Sequence, residues 1–349
     1  MPLSNHYRII GLLLTMVALG ISFIASLKFG LTHINWDTLI DAWQSNHPNK
    51  EELIVQNTRI PRALIATCVG VSLGMAGALM QGLTRNPLAS PGIFGINAGA
   101  ALFVVVASSI FSVHSYVTFT WIAFLGAAIS GGLVYLLSSF GKEGLTPLKL
   151  TLAGAALTAF FTTLTQGILV SDEGTLDQIL FWLAGSIVGR DLDALLYLLP
   201  FFAISWICTL FLGRAMTTLT IGENVAKGLG QKTGWVKAIA ALCIILLAGG
   251  SVAIAGPIGL VGLIIPHIAR FLVGSDYRWL LPYCAFLGAT FLLLADIGGR
   301  YLIMPGGPLT ELLVEAGART TSDEVPVGVI TALIGVPFFI TIARRSISD

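Results

Sequence analysis

Charge is scarce in this chain. Asp, Glu, Lys and Arg make up 11% of its 349 residues, where a soluble domain carries about a quarter. A chain this poor in charge and 55% hydrophobic cannot cover itself with water-facing side chains. Cysteine is also rare. Cys68, Cys208, Cys243 and Cys284 each stand alone inside apolar runs, with no CxxC pair. That excludes a disulfide framework or a thiolate metal site, and the four read as small buried hydrophobes. The histidines (His6, His33, His47, His114, His267) fall into no ligand spacing, so no metal site is expected. Catalytic patterns are missing as well: there is no HExxH, no GxSxG and no pair of carboxylates in mid-span. Gly230 to Thr233 resembles the tail of a phosphate-binding loop. However, Gln231 stands where glycine is required and no strand precedes it. The chain therefore has no Walker motif and needs no cofactor of its own. If ATP drives it, ATP and Mg are bound by another subunit. A net charge of +1 gives no reason to expect a nucleic-acid partner.

What is present is a succession of apolar runs, each about 20 residues and long enough to cross a bilayer. A β-barrel would show shorter alternating segments. The fold class is all-α and polytopic, with ten expected spans near 9–27, 61–82, 92–111, 116–139, 148–170, 192–213, 236–256, 258–274, 279–298 and 325–343. A signal peptide is the rival for the first, but its apolar core would be shorter and no small-x-small cleavage site follows. Ile179 to Gly189 is apolar but too short to cross, and reads as a half-helix or a packed surface segment. Phe29 to Thr58, with Trp36 and Trp43 among acidic residues, reads as an interfacial loop or short helix.

Alternating spans from a cytoplasmic N-terminus put Arg8, Arg85, Lys142, Lys149, Arg214, Lys227, Lys232, Lys237, Arg270, Arg278, Arg344 and Arg345 inside. Lys28, Lys50, Arg59, Arg62, Arg190, Arg300 and Arg319 then fall outside. The excess of basic residues inside fits the positive-inside rule, with both termini cytoplasmic. Small residues in the second span (Gly70, Gly74, Gly77, Ala78) and the fifth (Ala153, Ala155, Ala156, Ala159) allow close helix packing. Pro91–Gly95 and Pro257–Gly262 open the third and eighth spans from opposite sides. An inverted repeat would produce this, and so would chance in a glycine-rich chain.

One polar island interrupts the spans, residues 214–237. Within it, Ile221, Val225 and Leu229 recur at i, i+4, i+8 and predict a short amphipathic helix. Thr220 is placed to cap it, with Glu223 completing a capping box, and Gly228 and Gly230 to end it. Glu223 and Lys227 form an i,i+4 pair. The segment is either a solvated loop or a docking surface for a cytoplasmic partner. In the fifth span, Thr151, Thr158, Thr162, Thr165 and Gln166 carry the polarity. They either bond their own i−4 carbonyls or form a weakly polar wall for a large solute. Arg59, Arg62 and Arg300 face outward on this topology, as interfacial anchors or as contacts for acidic residues of an external protein. Asp296, close to Arg300, reads as interfacial. The scarcity of charge at mid-membrane argues against an ion-coupled secondary transporter, the alternative from another class.

Several segments together resemble the FecCD-type permeases of ATP-binding-cassette importers for iron-siderophores, haem and cobalamin. They are RIPRALIATCVGVSLGMAGALMQGLTRNPLASPGIFGINAGA (59–100), FWLAGS (181–186), LTIGENVAKGLG (219–230), GPIGLVGLIIPHIARFLVGSDYRWLLP (256–282), LLLADIGGR (292–300) and EVPVGVITALIGVPFF (324–339). The resemblance implies one permease domain over 1–349 in the inner (cytoplasmic) cell membrane. It implies a second permease subunit in a homo- or heterodimer, two cytoplasmic ATPase subunits and an external substrate-binding protein. Residue by residue it implies ATPase coupling through Leu219, Thr220, Ile221, Gly222, Glu223, Ala226, Leu229 and Gly230. It implies binding-protein contacts at Arg59, Arg62 and Arg300, and a pathway lined by Thr158, Thr162, Thr165 and Gln166. The expected cargo is a ferric siderophore, with cobalamin or haem as the alternative. Met304 to Asp323 is long for the family, carries an apolar piece at Leu309–Ala316, and lies in an expected external loop over 299–324.

Overall fold

The computed structural model describes residues 5–30, 32, 34–42, 49–111, 115–141, 144–302 and 324–348. Most of the expected outer loop, including Leu309–Ala316 and Arg319, lies outside these, as do Trp43, His33, His47, His114, Lys142 and Glu143. The described residues are helical or irregular, without strands. In chain order the helices are α1 (Asn5–Lys28), α2 (Trp36–Asp41) and α3 (Lys50–Ile54), which runs through a π turn (Val55–Arg59) into α4 (Ile60–Thr84). A 3₁₀ turn (Pro91–Phe94) precedes α5 (Ile96–Phe111). Then come α6 (Tyr116–Ser139), α7 (Pro147–Ser171), α8 (Glu173–Leu183), α9 (Leu192–Phe211), α10 (Gly213–Ile221), α11 (Glu223–Gly228), α12 (Thr233–Ala255), α13 (Val261–Val273), α14 (Tyr277–Leu302) and α15 (Val327–Ser348).

Every expected span falls on a helix. Among the described residues, seven helical runs are long and apolar enough to cross a bilayer: α1, the α3–α4 run, α6, α7, α9, α12 and α14. The other three expected spans carry shorter apolar helices, Ile96–Phe111, Val261–Val273 and Val327–Thr341. Two of these are short for a visible reason. α5 and α13 each begin only after irregular backbone, at 85–95 and 256–260.

α4 is the buried centre, and its glycines explain why. A Cβ on Gly77 would collide with the carbonyl oxygen of Gly262, and one on Gly74 with that of Cys284. At Gly70 it would lie 2.5 Å from the Gly288 oxygen. These glycines let α4 touch the backbones of α13 and α14. The alanines of α7 behave differently. Ala155, Ala156 and Ala159 are exposed, and only Gly154 of this stretch meets a backbone, at Ile93. The irregular segments converge beside α4, where a Cβ on Gly262 would lie 2.9 Å from Cδ of Pro91. Irregular backbone at such depth is tolerated because protein surrounds it.

The connections gather at two ends of the bundle, as alternation requires. At one end Lys237 reaches the Leu145 carbonyl, and the Tyr277 N–H reaches Thr217. At the other the Gly328 N–H donates to the Gly185 carbonyl over 2.9 Å, and Arg59 reaches the carbonyls of Leu27 and Lys28. The short apolar segment 179–189 is helical only to Leu183, and its irregular remainder packs at this second end.

Candidate functional site

The polar island folds as two helices rather than one. α10 stops at Ile221, Gly222 is extended, and α11 starts at Glu223. The expected capping box is not formed. The Thr220 hydroxyl donates to the Thr217 carbonyl at 2.8 Å, inside α10. The Glu223 carboxylate accepts instead from Lys237 Nζ at 2.7 Å and Lys227 Nζ at 3.1 Å. Long-range charge outcompetes the local cap. The bond from Lys237 holds the Glu223 carboxyl below its ordinary range against the opposing effect of burial, and the bond from Lys227 adds to the lowering. The end of the helix is as expected. Gly230 takes φ +80°, its N–H donates to Lys227 and that of Gln231 to Ala226, which closes a Schellman turn.

The residues expected to couple to a partner divide by burial. Leu219 and Ala226 face inward and hold the element to the bundle. Ile221 and Leu229 are 71% and 72% exposed, and Val225 stands exposed with them. Together the three aliphatics form an exposed apolar patch on the polar island. Val225, on the expected face but absent from the family-derived set, belongs to it. α10 is fixed separately. Thr217 accepts the Tyr277 N–H at 2.9 Å beside Asp276, whose carboxyl Arg278 holds low.

The threonines of α7 also divide. Thr158 and Thr162 line an open groove of about 600 Å³ together with Thr151, Ala155 and the backbone of Gly92–Ile93. Thr165 does not. It is buried, and its hydroxyl donates to the Phe161 carbonyl at 2.8 Å. Thr151 and Thr163 make the same i−4 bond, to Pro147 and Ala159. Gln166 is exposed on the Thr158–Thr162 stripe but lies beyond the groove lining. Of the hydroxyls lining the groove, those of Thr151 and Thr163 are bonded within α7, while those of Ser90, Thr158 and Thr162 make no bond to the described residues.

The outer arginines are not at the surface of this chain. Arg59, Arg62 and Arg300 are 4%, 7% and 4% exposed. Arg59 donates to the carbonyls of Leu27 (2.7 Å), Lys28 (2.6 Å) and Thr32. Arg300 donates to those of Ser26 (2.9 Å) and Phe29 (3.0 Å). These are the last carbonyls of α1 and those just beyond it, which no helical N–H reaches, so two guanidinium groups cap that helix. Arg62 grips Asp296 through Nε and Nη2 at 2.7–3.0 Å and also pairs with Glu324, while Arg300 closes on Asp296 from the other side. Asp296 is 1% exposed and joins α4 to α14.

The family model described as the FecCD transport family matches residues 18–345. The chain belongs to the FecCD transport family. It is 53% identical over 321 residues to the probable siderophore transport system permease protein YfiZ of Bacillus subtilis, covering 92% of this chain and 91% of the relative. It is 38% identical over 335 residues to the ferric enterobactin transport system permease protein FepD of Escherichia coli, covering 96% and 94%. A solved structure described as a metal-chelate type ABC transporter in an inward-facing conformation superposes with a TM-score of 0.78 at 30% identity. The match covers 95% of this chain and 98% of that one. This FecCD-family chain is a multi-pass membrane permease subunit of an ABC importer and not an enzyme. The ion-coupled carrier reading falls with that assignment.

The segments that carried the resemblance meet in space. Gly185 of FWLAGS, Gly256 of GPIGLVG and Gly328 of EVPVG form one junction. A Cβ on Gly256 would collide with the Trp182 carbonyl, and one on Gly328 with that of Ala184. These motifs keep three backbones in contact at one end of the FecCD fold. Nothing in their order along the chain indicated that they touch.

Proposed function

We propose that this permease imports a ferric siderophore. The single observation behind this reading is the 53% identity, over nine-tenths of both chains, to a permease named for siderophore transport. In this reading α10–α11 is the cytoplasmic coupling element and both termini lie in the cytoplasm. Two ATPase subunits dock against Ile221, Val225 and Leu229, and bind ATP and Mg themselves. A second permease subunit faces the uncovered side of α7, and the path for the chelate runs past Thr158, Thr162 and Gln166. A wall of small residues with few free hydroxyls suits a large polar solute that must pass without being held. The external binding protein delivers the chelate at the opposite end. There Arg59, Arg62 and Arg300 shape the receiving surface by fixing α1, α4 and α14, instead of presenting bare charges.

Uptake of iron-55 by cells that depend on this importer tests the cargo. Competition by unlabelled ferric hydroxamate or catecholate chelates, with haem and cobalamin without effect, is the expected result. Competition by haem or cobalamin alone would assign the chain to those cargoes instead.

A further inference from the structure

α11 is linked to the start of α7 through one buried cation. Lys237, in the first turns of α12, is 8% exposed. Its ammonium donates to Glu223 Oε2 at 2.7 Å and to the Leu145 carbonyl at 3.0 Å. Glu223 opens α11, and its other oxygen faces Lys227 and the Thr233 hydroxyl. Leu145 lies two residues before Pro147, where α7 begins. α7 is the helix that lines the groove, and most of its surface is uncovered. A single Nζ therefore stands between the docking element and the start of the groove helix. α10 is fastened elsewhere, to the start of α14 through Thr217, and extended Gly222 separates the two halves.

We infer that Lys237 is a positioning residue that passes displacement of α11 to α7. The inference rests on the reading of α10–α11 as the ATPase-docking element. Its physical basis is the length and number of the bonds. A buried ammonium held by a carboxylate and a carbonyl makes short, charge-assisted hydrogen bonds that resist separation. When α11 is pushed, Glu223 draws Lys237, and the Leu145 carbonyl follows, moving the first turn of α7. Lys227 cannot substitute, because it is exposed and has no bond to the 144–146 segment. Two bistable positions of this linkage, biased by the partner, would supply the two-state element that coupling requires.

The test uses the assembled importer in proteoliposomes, with Thr162→Cys as a reporter in the groove and Cys68 and Cys208 changed to Ala. Three quantities are read: co-purification of the ATPase, ATP hydrolysis, and the change in thiol-labelling rate at position 162 when ATP and vanadate are added. For Lys237→Met, co-purification and hydrolysis should stay within about twofold of the parent, while the nucleotide-dependent labelling change falls severalfold. Lys237→Arg, which keeps charge and donors, should restore at least half of it. Lys237→Gln keeps a donor for Leu145 but no charge for Glu223 and serves if the Met variant does not reach the membrane. It should show the same loss. A full labelling change in Lys237→Met or Lys237→Gln would overturn the inference, as would loss of co-purification in the variant that reaches the membrane, since Lys237 would then act in docking itself. Leu229→Glu separates the two readings. If it leaves co-purification intact, the docking assignment fails rather than the link.

Discussion

Asp296 is the residue whose removal should be felt most. It sits between two buried guanidinium groups, and its loss would leave both without their shared counter-charge. Breaking a buried pair from one side costs about 3–5 kcal/mol. Asp296→Asn should therefore lower the thermal unfolding midpoint of the detergent-solubilised permease by many degrees, with Glu324→Gln milder because Glu324 is partly exposed. Equal midpoints for both variants would show that the cluster does not depend on Asp296. Glu223 gives a pH dependence with a fixed sign. Its carboxyl is held below its ordinary 4.5, so the anchoring of α11 is fully present above that value and is lost as pH falls through the lowered one. The protection of the α11 amides, as exchange relative to the intrinsic rate at each pH, should be unchanged from pH 7 down to about 5 and fall only in more acid solution. A fall in protection already between pH 7 and 6 would mean that Glu223 does not hold the helix. The sequence made the polarity of these residues visible, but not their partners. Arg62 and Asp296 are 234 positions apart, and no local pattern links them. Span alternation sets Arg59, Arg62 and Arg300 outside but does not show that Arg59 and Arg300 meet carbonyls at the end of α1.

At the scale of elements, hydropathy made the spans legible because a bilayer requires long apolar runs whatever their packing. Hydropathy could not show where a span is interrupted by backbone contact. α5 and α13 are shortened by segments that meet at Gly262 and Pro91, and that depends on three-dimensional proximity. The small residues of α4 are covered by α13 and α14, whereas Ala155, Ala156 and Ala159 of α7 stand exposed in the single chain, and periodicity shows a smooth face but not what covers it. A paired substitution tests this. Gly77→Ala places a methyl against the Gly262 carbonyl and should cost about 1–3 kcal/mol through separation of α4 and α13. Gly132→Ala, in α6, meets nothing within 4 Å and should be neutral or stabilising by up to about 1 kcal/mol. Thermal unfolding of the two variants side by side reads the difference. Equal midpoints would contradict the packing role of the α4 glycines. The break at Gly222 was missed for a related reason. The i, i+4, i+8 pattern continues across it, while the bond from Lys237 to Glu223 resets where the helix begins.

At the scale of the whole molecule, the bundle has two working ends. One end presents bare aliphatics on α10–α11, and the other is drawn together by arginines and by the glycine junction of Gly185, Gly256 and Gly328. Between them α7 carries a groove with almost no charge. On the proposed function, directional transport is driven by partners acting at the two ends. The measurement that bears most directly on this is iron-55 siderophore uptake into proteoliposomes holding the purified permease, assembled stepwise. Uptake should require ATP, the ATPase and the external binding protein together, and collapse when any one is omitted. Accumulation by the permease alone, driven by an ion gradient without ATPase or nucleotide, would contradict the account.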